Sequence, residues 1–598
     1  MSNVMSLKDI RNKVHRNSFD KSCKSVFSAK AGELLPVWVE EVLPGDKFKI
    51  DLSSFTRTMP LDTAAYTRIR EYYDFYFVPI RQLWRFSDNF FTQMKVDYSA
   101  RSAASDSVLG VQETHPYLPI SQIKTFLDYT FDSQAVDSDI DDSQVSYFEE
   151  NELGFSRYYT SRKLLEYLGY SNAIFSRFDT DSQVNYSSVN YGFPDDDSAD
   201  YSVNPFPLLA YQKIYADYYR FDQWEEIEPW TFNVDYLSSA SRLDLTEASI
   251  YPSDGNINSR RHTLLDLRYC NWDKGLFTGL LSSPQYGDTS VAAPLVGSQY
   301  LEYDDNSGTD ALFSVGEHST NLTSDANLSG LGLSVLALRQ AEFLQKWKEV
   351  SLSGKQDYKD QIKKHWNVDV SKSRSALCSY LGGSSSSINI NEVVNTNLAS
   401  SSYSADIAGK GAGVTNKQIN FDASEHGIIM CIYHAVPLLD FTSLGMNPLN
   451  LKFDFTDYAI PELDSVGMQT VPLSWLFAAG VYNEDNDGIE VSATTEMGYA
   501  PRYIDYKTSI DRVKGVFNTT LKNWVTPVDA SILSSSILAT YNSTGEVLSY
   551  PFFKVNPSVM DNVFAVAAGS TVDTDQFLVN SYFDVKCVRN LDYNGLPY

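Results

Sequence analysis

No stretch of this 598-residue chain strings together the roughly 18 apolar residues that a membrane-crossing helix needs. Its first residues, MSNVMSLKDIRNKVHRN, hold no apolar core of the kind a secretory leader carries. Synthesis and function in the cytosol or in a virion are therefore expected, with no membrane span. Cysteine is scarce: Cys23, Cys270, Cys378, Cys431 and Cys587 are odd in number, far apart and never in a C-x-x-C pair. That argues against a disulfide framework and against a zinc ribbon. Catalytic signatures are missing as well, with no G-x-S-x-G, no H-E-x-x-H and no Walker motif. No period of about 20 to 50 residues recurs, which removes support for solenoids and propellers.

What the chain does have is a core's worth of apolar material, 43% hydrophobic and 14% aromatic, with 22 prolines and 31 glycines for turns. The segment from Gly32 to Trp84 is the most informative. Pro36 to Leu43 is apolar on both sides and reads as a buried strand; Pro44-Gly45-Asp46 is turn chemistry, because Pro presets φ and Gly admits φ > 0. Tyr72 to Val78 is aromatic or β-branched except for Asp74, and Pro79 should stop that strand. Strand-like runs return beyond Ile388, at Gly427–Tyr433, Pro472–Phe477, Arg512–Phe517 and Ser581–Leu591. Between them, Pro205 to Trp230 reads as a helix followed by an extended segment. Leu336, Phe343, Trp347 and Val350 line one helical face, a stripe expected to pack into a core. Strands at both ends with helices and loops between them predict a mainly β protein, one sandwich carrying large insertions.

Charge divides the chain. The whole carries 76 acids against 48 bases, net −28, yet the first thirty residues hold seven Lys and Arg against two Asp. An acidic body with a basic arm fits a protein that meets water on one side and a polyanion on the other. Within the arm, Ser6-x-x-Asp9 is a possible capping box, and Leu7, Ile10 and Val14 fall on one helical face. From Asp132 to Glu152 there are eight carboxylates and no base, and Asp195-Asp196-Asp197 repeats the theme; such density opposes burial and predicts exposed loop tips.

Three constellations resemble sites without completing one. Gly409-Lys410-Gly411-Ala412-Gly413 lacks the preceding apolar strand and the Lys-Ser/Thr ending of a P-loop, and reads as a flexible loop. Asn483, Asp485 and Asp487, followed by Gly488, match the first half of a calcium loop. The bidentate acid should fall at Thr494, however, and Glu496 comes two residues late, so a hairpin turn is the plainer reading and these three stay weak calcium candidates. His426 and His434 with Cys431 between them could share a strand face, but no third ligand has metal spacing. No catalytic residue, metal or cofactor is assigned.

Several blocks in order resemble the major capsid proteins of small tailless single-stranded DNA bacteriophages, the gokushovirus-like branch of the Microviridae. They are Arg16-Asn17-Ser18-Phe19-Asp20, the run from Gly32 to Gly45, FYFVPIRQLW, Leu208 with Tyr211-Gln212 and Tyr218-Tyr219-Arg220, LRYCNWDKGLFTGLLSSPQYG, LRQAEFLQKW, YLGGSSSSI, SEHGIIMCIY, GYAPRYIDYK and a closing NGLP. The resemblance implies an eight-stranded antiparallel jelly-roll sandwich of viral capsid type and no enzyme activity. It implies sixty copies in a T=1 icosahedral shell around circular single-stranded DNA, built in the bacterial host cytoplasm. Scaffolding proteins, minor or pilot proteins and a host cell-surface receptor would be partners. On this reading residues 1–31 are a basic arm and 32–598 a single jelly-roll domain with insertions at about 97–205 and 235–420. Interior DNA contact is then expected from Lys8, Arg11, Lys13, Arg16, Lys21 and Lys24, and host attachment from an insertion. The rival reading, a secreted carbohydrate-binding or glycoside-hydrolysing β-sandwich, is motivated by the many acids and aromatics and opposed by the missing leader.

Overall fold

Nine strands form one curled antiparallel sheet system: β1 (Asn17–Asp20), β2 (Cys23–Ala29), β3 (Leu35–Val42), β4 (Lys47–Thr58), β5 (Ile69–Pro79), β6 (Ser379–Val394), β7 (Ile407–Asp422), β8 (Gly427–Pro437) and β9 (Phe577–Arg589). The computed structural model describes residues 15–63, 65–92, 115–120, 123, 126–127, 150–170, 202–225, 231–232, 234, 263–285, 302–303, 311–312, 335–352, 358–367, 375–394, 407–441, 444–482, 490–526, 537, 545–569 and 572–593.

Eight of the strands pair as nested hairpins, β2 with β9, β3 with β8, β4 with β7 and β5 with β6. Lateral pairing of β9 with β4 and of β8 with β5 then yields two sheets, in the orders β2-β9-β4-β7 and β3-β8-β5-β6. This is the double Greek-key order of a jelly roll. β1 extends the first sheet alongside β9. The far halves of β6 and β7 pair with each other, so these two strands carry the chain from one sheet to the other.

The sequence explains the layering. In β4, KFKIDLSSFTRT, burial alternates strictly, with Phe48, Ile50 and Leu52 turned inward; a period of two is what a strand with one wet face requires. β8, GIIMCIYHAVP, is buried along its whole length, as a strand covered on both faces should be. Trp38 of β3 stacks on Phe583 of β9, with ring centroids 5.8 Å apart, and so ties the two sheets through the core. A polar thread also crosses that interior. Glu71 accepts hydrogen bonds from Thr56 (2.5 Å), Ser386 (2.7 Å) and Thr415 (2.8 Å), and the Tyr73 hydroxyl joins Ser54 and Ser581. The Pro44–Gly45 turn leads from β3 to β4, with Gly45 at φ +86°.

Two Gly- and Ser-rich runs are strands, not loops. β6 and β7 lie inside the stretch of about 235–420 assigned above to an insertion, and Gly409 to Gly413 is the first half of β7. The reason is close approach. A Cβ on Gly383 would meet Asp74 Oδ1 at 2.1 Å, and one on Gly411 would meet Thr58 Cγ2 at 2.6 Å. Small residues read as loop signals where the fold uses them to bring neighbours together. The runs Pro472–Phe477 and Arg512–Phe517 are also not strands of this sheet; they hold 3-10 turns at Leu473–Trp475 and Gly515–Asn518.

Two helices pack on the second sheet. α1 (Arg157–Tyr167) and α2 (Phe206–Ile214) are mostly buried. α2 runs into a π-helical turn, Tyr215–Tyr219, that sets Tyr218 against Tyr76 at 4.9 Å between centroids. Lys163 of α1 is buried between Glu33 (2.6 Å) and Asp575 (2.9 Å), and Lys30 reaches the same Asp575 at 2.8 Å. Burial opposes the charge on Lys163, and the two carboxylates outweigh it and hold the ammonium above its ordinary range.

Residues 282–376 form a separate compact unit. In it α3 (Val335–Leu352) pairs with α4 (Tyr358–Trp366), and Trp347 stacks on His365 at 5.5 Å. Of the stripe expected to be core, Phe343 is 66% and Trp347 51% exposed among the described residues. α4 has nine residues and meets Trp347 through its His365 ring, too small a partner to cover the stripe.

Candidate functional site

With no cofactor signature in the sequence, the functional features to look for are surfaces. Among the described residues no group of three or more His, Cys, Asp or Glu could hold a metal ion, and no helix is long and apolar enough to cross a membrane. The calcium candidates Asn483, Asp485 and Asp487 lie outside the described residues. The His and Cys group does not converge. Cys431 sits opposite Phe75, on the sandwich side of β8. His434 points the other way and stacks on Tyr72 at 4.9 Å, while His426 precedes the strand and stacks on Phe91 at 4.0 Å. All five cysteines are free thiols.

Of the six arm residues expected to touch DNA, Lys8, Arg11 and Lys13 lie outside the described residues. The other three flank β9, because the arm's second half is strand: β1 and β2 pair with it in sequence. Arg16 is engaged, donating from Nε to Asn590 (2.8 Å) and from a terminal nitrogen to the Gly45 carbonyl (2.6 Å). Lys21 is paired with Glu40. Lys24 is exposed and makes no ion pair among the described residues.

Lys24 leads onto a face that the sequence reading did not single out. On the outer side of the first sheet it lies across from Tyr582, which lies across from Ser53, then Asn416. The adjoining row runs Val26, Asn580, Phe55, Val414. Phe55 and Tyr582 are exposed, the Arg57 guanidinium lies 5.0 Å from the Phe55 ring centre, and Lys49 and Lys586 continue the face. Nearby acids temper it: Lys49 pairs with Asp51, and Lys586 with Asp20 and Asp584. The signal was present in the strict alternation of β4, whose solvent-side positions include Phe55 and Arg57.

A second surface stands out for apolar exposure. Phe453 is 87% and Phe455 71% exposed, with Leu444, Leu449 and Tyr458 around them. The backbone beneath is held firmly. Asn447 accepts from the Leu449 amide (3.0 Å), Asp457 from the amides of Phe453 and Asp454 (both 2.8 Å), and Asp454 from that of Phe455 (2.6 Å). Lys452 is fixed by Asp505 at 2.5 Å and lies 3.6 Å from the Tyr506 ring centre. Two large aromatics presented on a braced loop have the form of interface anchors, since little ordering entropy is lost when they are covered.

Comparison with known proteins points the same way. A family model described as capsid protein (F protein) matches residues 9–116 and 185–597. Capsid protein VP1 of Chlamydia phage 1 is 23% identical over 657 aligned residues, covering 98% of this chain and 96% of the relative. Capsid protein VP1 of Bdellovibrio phage phiMH2K is 20% identical over 629, covering 97% and 95%.

Proposed function

This chain belongs to the phage capsid F protein family, and on that premise we propose that sixty copies close into a T=1 shell around a circular single-stranded DNA genome, assembled in the cytoplasm of the bacterial host. A major capsid protein of this kind has its place in the virion. The observation that carries the assembly step is the braced aromatic loop with Phe453 and Phe455 outward. Closed symmetry repeats each contact around the particle, so modest interfaces suffice to hold it. Contacts to scaffolding proteins, to minor or pilot proteins and to a host receptor belong to the same proposal and rest on family membership; the insertions are the natural place for the last, because loops vary where a sandwich cannot.

The double variant Phe453→Asp/Phe455→Asp tests the shell. It should fold and stay soluble, while the concentration at which particles form rises about a hundredfold or more, as expected for losing two anchor residues. Particles at the wild-type threshold, seen by sizing and electron microscopy, would remove the loop from the assembly interface.

Inside the shell we assign phosphate contact to the basic arm. Since Arg16 and Lys21 already have protein partners, the assignment rests on Lys8, Arg11, Lys13 and Lys24. Replacing these four by Ala should lower the slope of log affinity for single-stranded DNA against log salt by up to about 3. An unchanged slope would sink the arm assignment.

A further inference from the structure

On the outer side of the second sheet lies an open cleft of about 410 Å³. Its floor is β5 and β8, where His434 and Tyr72 stack and Asp74 stands one row along. Tyr380 of β6 and Tyr219 of the π-helical turn wall it, and Asn271 and Asp273 line it too, Asp273 exposed. From these residues we propose that the cleft is a binding site for an alkylammonium group, the cationic end of a diamine, a polyamine or a lysine side chain.

The polar inventory decides the ligand class. Asp74 accepts hydrogen bonds from the hydroxyls of Tyr380 (3.0 Å) and Tyr219 (3.2 Å). Asn271 donates its amide to the Tyr219 carbonyl (2.7 Å), which leaves its Oδ1, buried and without a hydrogen-bond partner among the described residues, to accept. His434 is 7% exposed, and its Nδ1 is buried and equally unpartnered. A neutral imidazole offers one acceptor nitrogen, and a carboxylate only accepts. The vacancies therefore call for a ligand rich in N–H donors. Two carboxylates repel a phosphate or any other anion, and the rings of Tyr72, Tyr219 and Tyr380 attract a cation through their π faces. Burial raises the Asp74 pKa against its two tyrosine partners, so a cation beside it would relieve a strained charge.

The cleft is built, not incidental. Asp74 and Tyr380 can meet only because residue 383 is glycine, whose Cβ would stand 2.1 Å from Asp74 Oδ1 and 2.6 Å from the Tyr380 hydroxyl. The inference is independent of the shell reading, except in one arm of its test.

Spermidine is the probe, titrated calorimetrically into the unassembled full-length protein. One saturable site per chain is expected, weakened about tenfold or more by Asp273→Asn and by Gly383→Ala. Asp422→Asn, on the opposite sheet, removes the same unit of charge and should leave the affinity unchanged. Circular dichroism confirms that each variant folds. No saturable binding, or equal weakening by Asp273→Asn and Asp422→Asn, would overturn the site and reduce it to bulk attraction by an acidic protein. Repeating the titration on closed particles separates the sources. Binding that persists identifies a free amine as the occupant; binding that disappears on assembly and returns on dissociation identifies a lysine of a neighbouring copy.

Discussion

Replacing Lys163 by methionine is expected to destabilise the folded chain by roughly 3–5 kcal/mol, the usual cost of leaving a buried charge without its partner. Lys163, Glu33 and Asp575 are all nearly inaccessible to water, and among the described residues the Lys163 ammonium is the one cation that touches both carboxylates. Lys30 would still hold Asp575. Among the described residues Glu33 would keep the Lys30 backbone amide at 2.8 Å as its hydrogen-bond donor, so most of the penalty should arise there. Adding Glu33→Gln to the variant should recover a large part of the loss. Denaturant titration of the two variants checks this. A single variant within about 1 kcal/mol of wild type would mean that water or rearrangement reaches the cluster. Because the cluster ties α1 to the start of β9 and to the segment before β3, the lost stability should also show as early proteolysis of the insertion around α1.

The second large effect is acid lability. Burial among Tyr72, Tyr219 and the rest of the cleft pushes the His434 pKa from 6.5 down to about 3. Between those values the unfolded chain binds a proton at this residue and the folded chain does not. Stability from this source is therefore complete above pH 6.5 and drains away as pH falls toward 3, about 4–5 kcal/mol in all. Asp74, whose pKa burial raises, works in the opposite sense, as does Glu152, which burial and the nearby Glu225 push up to about 7. Comparing wild type with His434→Gln isolates the histidine. The variant should lose stability less steeply than wild type from pH 6.5 to pH 4, by denaturant midpoints at each pH. A difference between the two that stayed flat across that range would show that His434 takes its proton at an ordinary pKa.

The elements that were legible share one physical property: their local pattern and their tertiary environment agree. β3, the Pro44–Gly45 turn, β5 and β8 are rich in β-branched, aromatic or turn residues, and each strand is half or wholly buried as that pattern demands. β6 was missed because YLGGSSSSI obeys a rule invisible locally, that Gly383 must be small for Asp74 to reach Tyr380. The Phe343 and Trp347 stripe misled in the other direction. Helical periodicity reports that a face wants covering, and Phe343 and Trp347 stay exposed among the described residues. On the surfaces, the arm announced itself by charge, but Arg16 and Lys21 turned out to be spoken for by Gly45, Asn590 and Glu40. The cleft could not be read at all, since its walls come from residues 72–74, 219, 271–273, 380–385 and 434, brought together only by the crossing of strands and a π turn.

The nested order of the strands bears on how this protein is made. The outermost pair, β2 against β9, joins the segments farthest apart in the chain of the four nested pairs, with Ala29 meeting Phe577. Loop closure over so long a separation is slow and comes late. The outer face bearing Lys24, Tyr582 and Phe55 is thus incomplete until β9 is made, because β9 follows the other three strands of that face, β2, β4 and β7, in the chain. A subunit built this way acquires that face only once β9 has joined strands made long before it, so the chain's topology itself sets a clock on what the growing polypeptide can capture.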